Sequence, residues 1–125
     1  MSDASIILVD DEKDFVETLA KRLTRRGYEV AYAYNGEQAL EMLKNRSFHV
    51  AIIDFKMPGI NGIETLIEMK KMCPSVEVIF LTGHASIETG EEGMRRGAFD
   101  YMTKPVEFPE LVEKIQAALD KKNSL

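Results

Sequence analysis

Cysteine is nearly absent from this chain, and Cys73 by itself excludes an internal disulfide and any multi-cysteine metal centre. It stands before Pro74, where a helix is expected to end, and reads as an inert thiol in a protein of the reducing cytoplasm. No apolar run approaches membrane-spanning length. The N-terminal Met1-Ser2-Asp3-Ala4 also lacks the basic region and apolar stretch of a secretory signal, so neither membrane insertion nor secretion is expected. Positive charge is in deficit: 16 Lys and Arg against 21 Asp and Glu leave a net charge of −5. The basic residues gather only in short clusters such as Lys21-Arg22 and Arg25-Arg26, with no stripe of the kind that grips a phosphate backbone, and direct nucleic-acid binding is not expected.

What is present is an ordinary soluble composition, 45% hydrophobic and 30% charged, over a length that suits one domain spanning residues 1–125. Ser5 to Val9 reads as a buried strand closing on Asp10-Asp11-Glu12. Asp14 and Glu17 have the spacing of a capping box, and Phe15, Leu19 and Leu23 give an apolar helix face that stops at Gly27. Glu29 to Tyr34 alternates polar and apolar, as an edge strand does. Asn35-Gly36 with Gln38 then opens a second helix bearing Leu40 and Leu43. The run after His49, from Val50 to Ile53, is apolar and largely β-branched, the signature of a strand buried on both faces, and it ends in Asp54 before a Pro58-Gly59, Asn61-Gly62 loop. Asn61 and Glu64 repeat the capping-box spacing, with Ile63, Leu66 and Ile67 as the apolar face of a third helix. Val76 to Leu81 is a fourth strand closing on Thr82.

The fourth helix, from about Ser86 to Arg96, carries Gly90 and Gly93 in its interior, each costing roughly 1 kcal/mol relative to alanine, so it is predicted to be the weakest. Ala98 to Thr103 is a short fifth strand. Lys104-Pro105 is a turn, and Pro109 leads into an amphipathic helix with Leu111, Ile115, Ala118 and Leu119 inward and a frayed polar tail from Asp120. Five alternating strands and helices predict a parallel sheet covered on both faces, a flavodoxin-like (βα)5 doubly wound fold with strand order 2-1-3-4-5. Ligands bind such sheets outside the carboxyl ends of the strands. Asp10, Asp11, Asp54, Thr82 and Lys104 are all expected there.

Crowded carboxylates repel; one pair at ~4 Å in an effective dielectric of ~20 costs about 4 kcal/mol. They must protonate or hold a cation, and an all-oxygen ligand set suits Mg²⁺. Mg²⁺ beside an aspartate suggests phosphate chemistry. An aspartyl carboxylate is a competent phosphoryl acceptor, and Mg²⁺, the Lys104 ammonium and the Thr82 hydroxyl can stabilise the transferred group.

From Ser5 to about Leu119 the pattern resembles the receiver domain of bacterial two-component response regulators. Val9-Asp10-Asp11-Glu12 is similar to that family's acidic pair, Asp54 with Met57-Pro58-Gly59 and Asn61-Gly62 to its phosphoacceptor strand and loop, Thr82-Gly83 to its switch hydroxyl, and Lys104-Pro105 to its lysine turn. The resemblance implies that a partner histidine kinase or phosphotransfer protein donates phosphoryl to Asp54, that Asp10, Asp11 and Asp54 hold Mg²⁺ with the backbone carbonyl of Lys56, and that Lys104 pairs with the phosphoryl group. It further implies that Tyr101 is the switch aromatic. Lys56 and His84, near the same opening, would tune phosphoryl lifetime. The domain is then a phosphorylated signalling module rather than an enzyme, assisting its own phosphorylation and dephosphorylation. Its output is expected on the face of the fourth helix, fifth strand and fifth helix, where a partner or a second copy would dock. The Lys104-Pro105 bond is predicted to be cis, since the lysine must turn back toward Asp54. Two competing readings are a flavin-binding module of the same fold, which lacks the expected Ser/Thr-rich phosphate cradle here, and a haloacid-dehalogenase-like phosphatase, which usually has a second aspartate where this chain has Lys56.

Overall fold

The computed structural model describes residues 4–83 and 87–123. The elements alternate as β1 (Ser5–Val9), α1 (Lys13–Arg25), β2 (Glu29–Ala33), α2 (Gly36–Leu43), β3 (Val50–Asp54), α3 (Gly62–Met72), β4 (Glu77–Thr82), α4 (Ile87–Arg95), β5 (Asp100–Thr103) and α5 (Phe108–Asn123). All strand pairs are parallel, in the order β2-β1-β3-β4-β5, so the predicted architecture and the edge position of β2 both hold. Every residue of β1, β3 and β4 is buried, which is why those segments read as continuous apolar runs. Their side chains alternate between two cores. One, with Ile7, Ile53 and Phe80, packs against Ala39 and Leu43 of α2 and Leu66 and Met69 of α3. The other, with Ile6, Ile52 and Leu81, packs against Val16, Leu19 and Leu23 of α1 and Leu111, Ile115 and Ala118 of α5.

Local chemistry sets the starts of α2 and α3. At α3 the predicted capping box is complete: the Asn61 side chain accepts from Glu64 N at 2.9 Å while Glu64 accepts from Asn61 N at 2.8 Å. At α2 the Asn35 side chain accepts from Gln38 N, while the Gln38 side chain takes the Tyr34 N–H instead of returning to Asn35. The start of α1 differs from expectation. Its N-cap is Glu12, without a side-chain cap, and Asp14 lies in the first turn. The Asp10 carboxylate accepts the Glu12 N–H at 2.9 Å, folding the loop so that the helix begins earlier, and Glu17 accepts instead from the Tyr34 hydroxyl at 2.5 Å. The inward stripe of α1 is accordingly Val16, Leu19, Ala20 and Leu23, with Phe15 half-buried.

On α3 the buried residues are Thr65, Leu66 and Met69, whereas Ile63 and Ile67 are half-buried on the flanks of the stripe. Strand β5 starts at Asp100, two residues later than predicted, and α5 stays helical to Asn123 where fraying was expected. Lys121 in its last turns reaches across to Glu77 at 3.4 Å. The Lys104-Pro105 bond is cis, as predicted. Cys73 is buried at the end of α3. Among the described residues no helix is long and apolar enough to cross a membrane.

The glycines of α4 do more than weaken it. A Cβ on Gly90 would lie 2.4 Å from the Tyr101 ring, and one on Gly93 would lie 2.7 Å from the Phe80 ring. One turn of helix therefore seats two aromatic rings, and the packing needs the missing side chains.

Candidate functional site

The strand register aligns the carboxyl ends. Val9 pairs with Ile53, Asp54 with Leu81 and Thr82 with Thr103, and the ladder runs on through Asp10 N–H to Ala33 O, Phe55 N–H to Leu81 O and Lys104 N–H to Thr82 O. Asp10, Asp54, Thr82 and Lys104 are thereby brought to one crevice by backbone hydrogen bonding. Gly62 lets the following loop fold close over β3, since a Cβ there would meet Phe55 Cα and O at 2.9 Å.

Carboxylate oxygens of Asp10, Asp11 and Asp54 lie within 4.8 Å of one another; Asp10 and Asp54 are buried and Asp11 is exposed. Burial, followed by the charge of Asp10, pushes the Asp54 carboxyl up to about 6 despite the opposing Lys104 ammonium. Asp10 is raised too, chiefly by burial, against the Glu12 N–H and Lys104. Lys104 Nζ bonds Glu12 Oε1 at 2.7 Å and stands 3.0 Å from Asp10 and 3.7 Å from Asp54. Burial works against its charge, but the hydrogen bond to Glu12 and the nearby Asp10 and Asp54 carboxylates outweigh that effect and hold its pKa above the ordinary lysine value.

Glu12 is the residue that sequence reasoning left without a role. Its only signal was its place directly after the acidic pair, since its contact with Lys104 spans 92 positions of chain. Phe15 also adjoins the site, its ring centroid 4.9 Å from Lys104 Nζ. The Lys56 N–H donates to Asp54 Oδ1 at 3.3 Å, while the Lys56 side chain is exposed. Thr82 is buried at the end of β4. Tyr101 is half-buried with its ring on Gly90. His84 lies outside the described residues.

The cluster fits a divalent cation. Asp10 Oδ2 is buried and, although Lys104 is 3.0 Å away, accepts no well-directed hydrogen bond. An under-satisfied buried carboxylate oxygen beside two further carboxylates is a donor set suited to Mg²⁺, with no nitrogen or sulfur ligand in the cluster among the described residues to favour a softer metal.

A model of the response regulator receiver domain family matches residues 6–116. The transcriptional regulatory protein ZraR of Escherichia coli O157:H7 is 38% identical over 114 residues, an alignment that covers 91% of this chain and 26% of ZraR, so the chain spans about a quarter of that relative. The crystal structure of a CheY-like receiver domain protein from Methanospirillum hungatei JF-1 superimposes with a TM-score of 0.91 at 34% identity, covering 98% of both chains. A response regulator from Burkholderia pseudomallei, crystallised with a phosphorylated aspartic acid, a calcium ion and citrate, matches with a TM-score of 0.82 at 28% identity over 98% of this chain and 76% of that one. The family match sets aside the flavin-binding and phosphatase readings.

Proposed function

Because this chain belongs to the response regulator receiver domain family, and is therefore a signalling domain, we propose that Asp54 is its phosphoacceptor, taking the group from a phosphohistidine on a histidine kinase or phosphotransfer protein. The observation that carries this reading is the placement of Asp54 at the end of β3, between the buried Asp10 carboxylate and the Lys104 ammonium. A carboxylate oxygen of Asp54 attacks phosphorus as the bond to the histidine nitrogen breaks, and that nitrogen leaves as imidazole. Asp54 must be ionised to attack, and near neutral pH a carboxyl held at about 6 is mostly so. Asp10, Asp11 and Asp54, with the Lys56 carbonyl, would hold Mg²⁺, whose charge relieves their repulsion and neutralises phosphoryl oxygens.

Lys104 then has a choice of partners. Its ammonium, bound mainly to Glu12 and Asp10, is 3.7 Å from Asp54 and needs only a small side-chain movement to meet an oxygen on the phosphoryl group. The Thr82 hydroxyl would turn toward the same group, and Tyr101 would respond by shifting against Gly90. The face of α4, β5 and α5 is the proposed output surface, for a partner or a second copy. A single receiver domain over residues 1–125, working in the cytoplasm, completes the reading.

Incubation with acetyl phosphate and Mg²⁺ should add one phosphoryl group, detected by intact mass and released by hydroxylamine. Asp54→Ala should take up none; labelling equal to the parent would overturn the assignment.

A further inference from the structure

The cations Lys21 and Arg25 were singled out by composition and play no part in the site above. Both are exposed on α1, one helical turn apart, and neither has a carboxylate partner among the described residues. They border a groove of about 430 Å³ between α1 and β2, whose floor includes Val30 and Tyr32. The one acid on its lining, Glu17, is engaged by the Tyr34 hydroxyl. Tyr32 is 37% exposed, one of three large hydrophobic residues on the surface of the described chain.

The groove lies along the open edge of the sheet. The Glu29 N–H bonds Ala4 O and Ala33 O accepts from Asp10 N–H, so the peptide groups of Glu29, Ala31 and Ala33 face β1. Alternation turns those of Val30 and Tyr32 outward, where β2 has no neighbouring strand among the described residues. The next outward N–H, that of Tyr34, is closed by the Gln38 side chain at 2.8 Å, which limits the open edge to two residues' peptide groups beside the groove.

We propose that this edge docks an extended, acidic segment of a partner protein, which pairs with the Val30 and Tyr32 peptide groups as an added strand. The spacing supports the charge pairing. Residues four apart on a helix rise about 6 Å, and alternate residues of a strand are roughly 6.7 Å apart. Acids at every second position of the incoming strand thus match Lys21 and Arg25, on a chain that is otherwise net negative. Tyr32 supplies apolar contact between them. A solvated cationic face would need neither the open backbone nor the exposed ring beside it.

The test uses the whole chain and a fluorescent, end-blocked heptapeptide of alternating glutamate and valine, read by anisotropy and by amide NMR shifts. Binding should perturb the Val30 and Tyr32 amides and slow their exchange. N-methylation of the peptide's valines should weaken it at least tenfold, as should the double variant Lys21→Glu, Arg25→Glu, and an alternating lysine and valine peptide should bind that variant better than it binds the parent. Circular dichroism melting of the variant and its labelling by acetyl phosphate should match the parent. Several results overturn the proposal: no binding of the first peptide, shifts that map away from β2, equal affinity for the N-methylated peptide, or displacement by a single-stranded oligonucleotide. So would parent self-association abolished by the charge reversal, which would make a second copy the occupant.

Discussion

The carboxyl end of β3 and the contact of α4 with β4 and β5 are both tightly built, from opposite materials. Around Asp54 the chain crowds charged side chains that oppose one another, and the metal-free fold bears the cost as a carboxyl raised to about 6. Under α4 it removes side chains, so that the rings of Tyr101 and Phe80 lie where Cβ atoms at 90 and 93 would be. The first region holds a charge repulsion that a cation can relieve, whereas the second is closely packed and resists added bulk, most of all at Gly93. A signal passing from one to the other would convert a change of charge into a change of packing. Phe55 and Phe80 lie between them, their rings 5.3 Å apart and edge-on.

The largest expected effect comes from removing charge at the first region. Asp54 has a folded pKa of about 6 against an ordinary 3.8, so the ionised form is penalised in the fold: the penalty is absent below about pH 4, grows as pH rises, and is complete above about pH 6. Asp54→Asn should therefore stabilise the metal-free protein by about 3 kcal/mol at pH 7.5 and by nearly nothing at pH 4. Urea unfolding across that range measures it. Adding Mg²⁺ should narrow the gap by stabilising the parent alone; a gap independent of pH would remove the crowded-charge account.

Smaller is the effect of adding one methyl group to the second region. Gly93→Ala gains about 1 kcal/mol of helix propensity but forces Phe80, which is 1% exposed, to move within a filled core, at a cost of about 1–3 kcal/mol. A net loss of roughly 1 kcal/mol is expected. A clear gain in stability would show that the close seat is not needed.

Smallest is Gly90→Ala. The obstructing ring belongs to Tyr101, which is only half-buried and so less confined than Phe80, and the propensity gain and the lost contact should cancel to within about 0.5 kcal/mol. The ring itself should move, seen as changed Tyr101 side-chain NMR signals with near-parent melting. Unchanged signals would separate Gly90 from the position of the Tyr101 ring and weaken the contrast between the two regions.

Much of this was legible before any coordinates. Strand order followed from βα alternation, and β2 showed its edge position in its polar alternation. Asn61 and Glu64 announced a capping box that is present. The acids of the site were visible as strand-terminal residues because a parallel sheet delivers such ends to one crevice. The start of α1 departs from the Asp14–Glu17 capping-box spacing because the Asp10 side chain engages the Glu12 N–H and the helix begins earlier.

The sequence by itself determined what depends on neighbours within a few residues: periodicity, turns, caps and the kinds of side chain that end each strand. Only the tertiary structure decided which partners those side chains meet. Lys104 prefers Glu12 and Asp10 to Asp54, the helix glycines serve as seats for rings, and two basic residues of α1 overlook an open strand edge. Each of these depends on distances between elements far apart in the chain. Electrostatic attraction and steric contact vary with those distances over a few ångströms, a scale that no local pattern of residue types encodes.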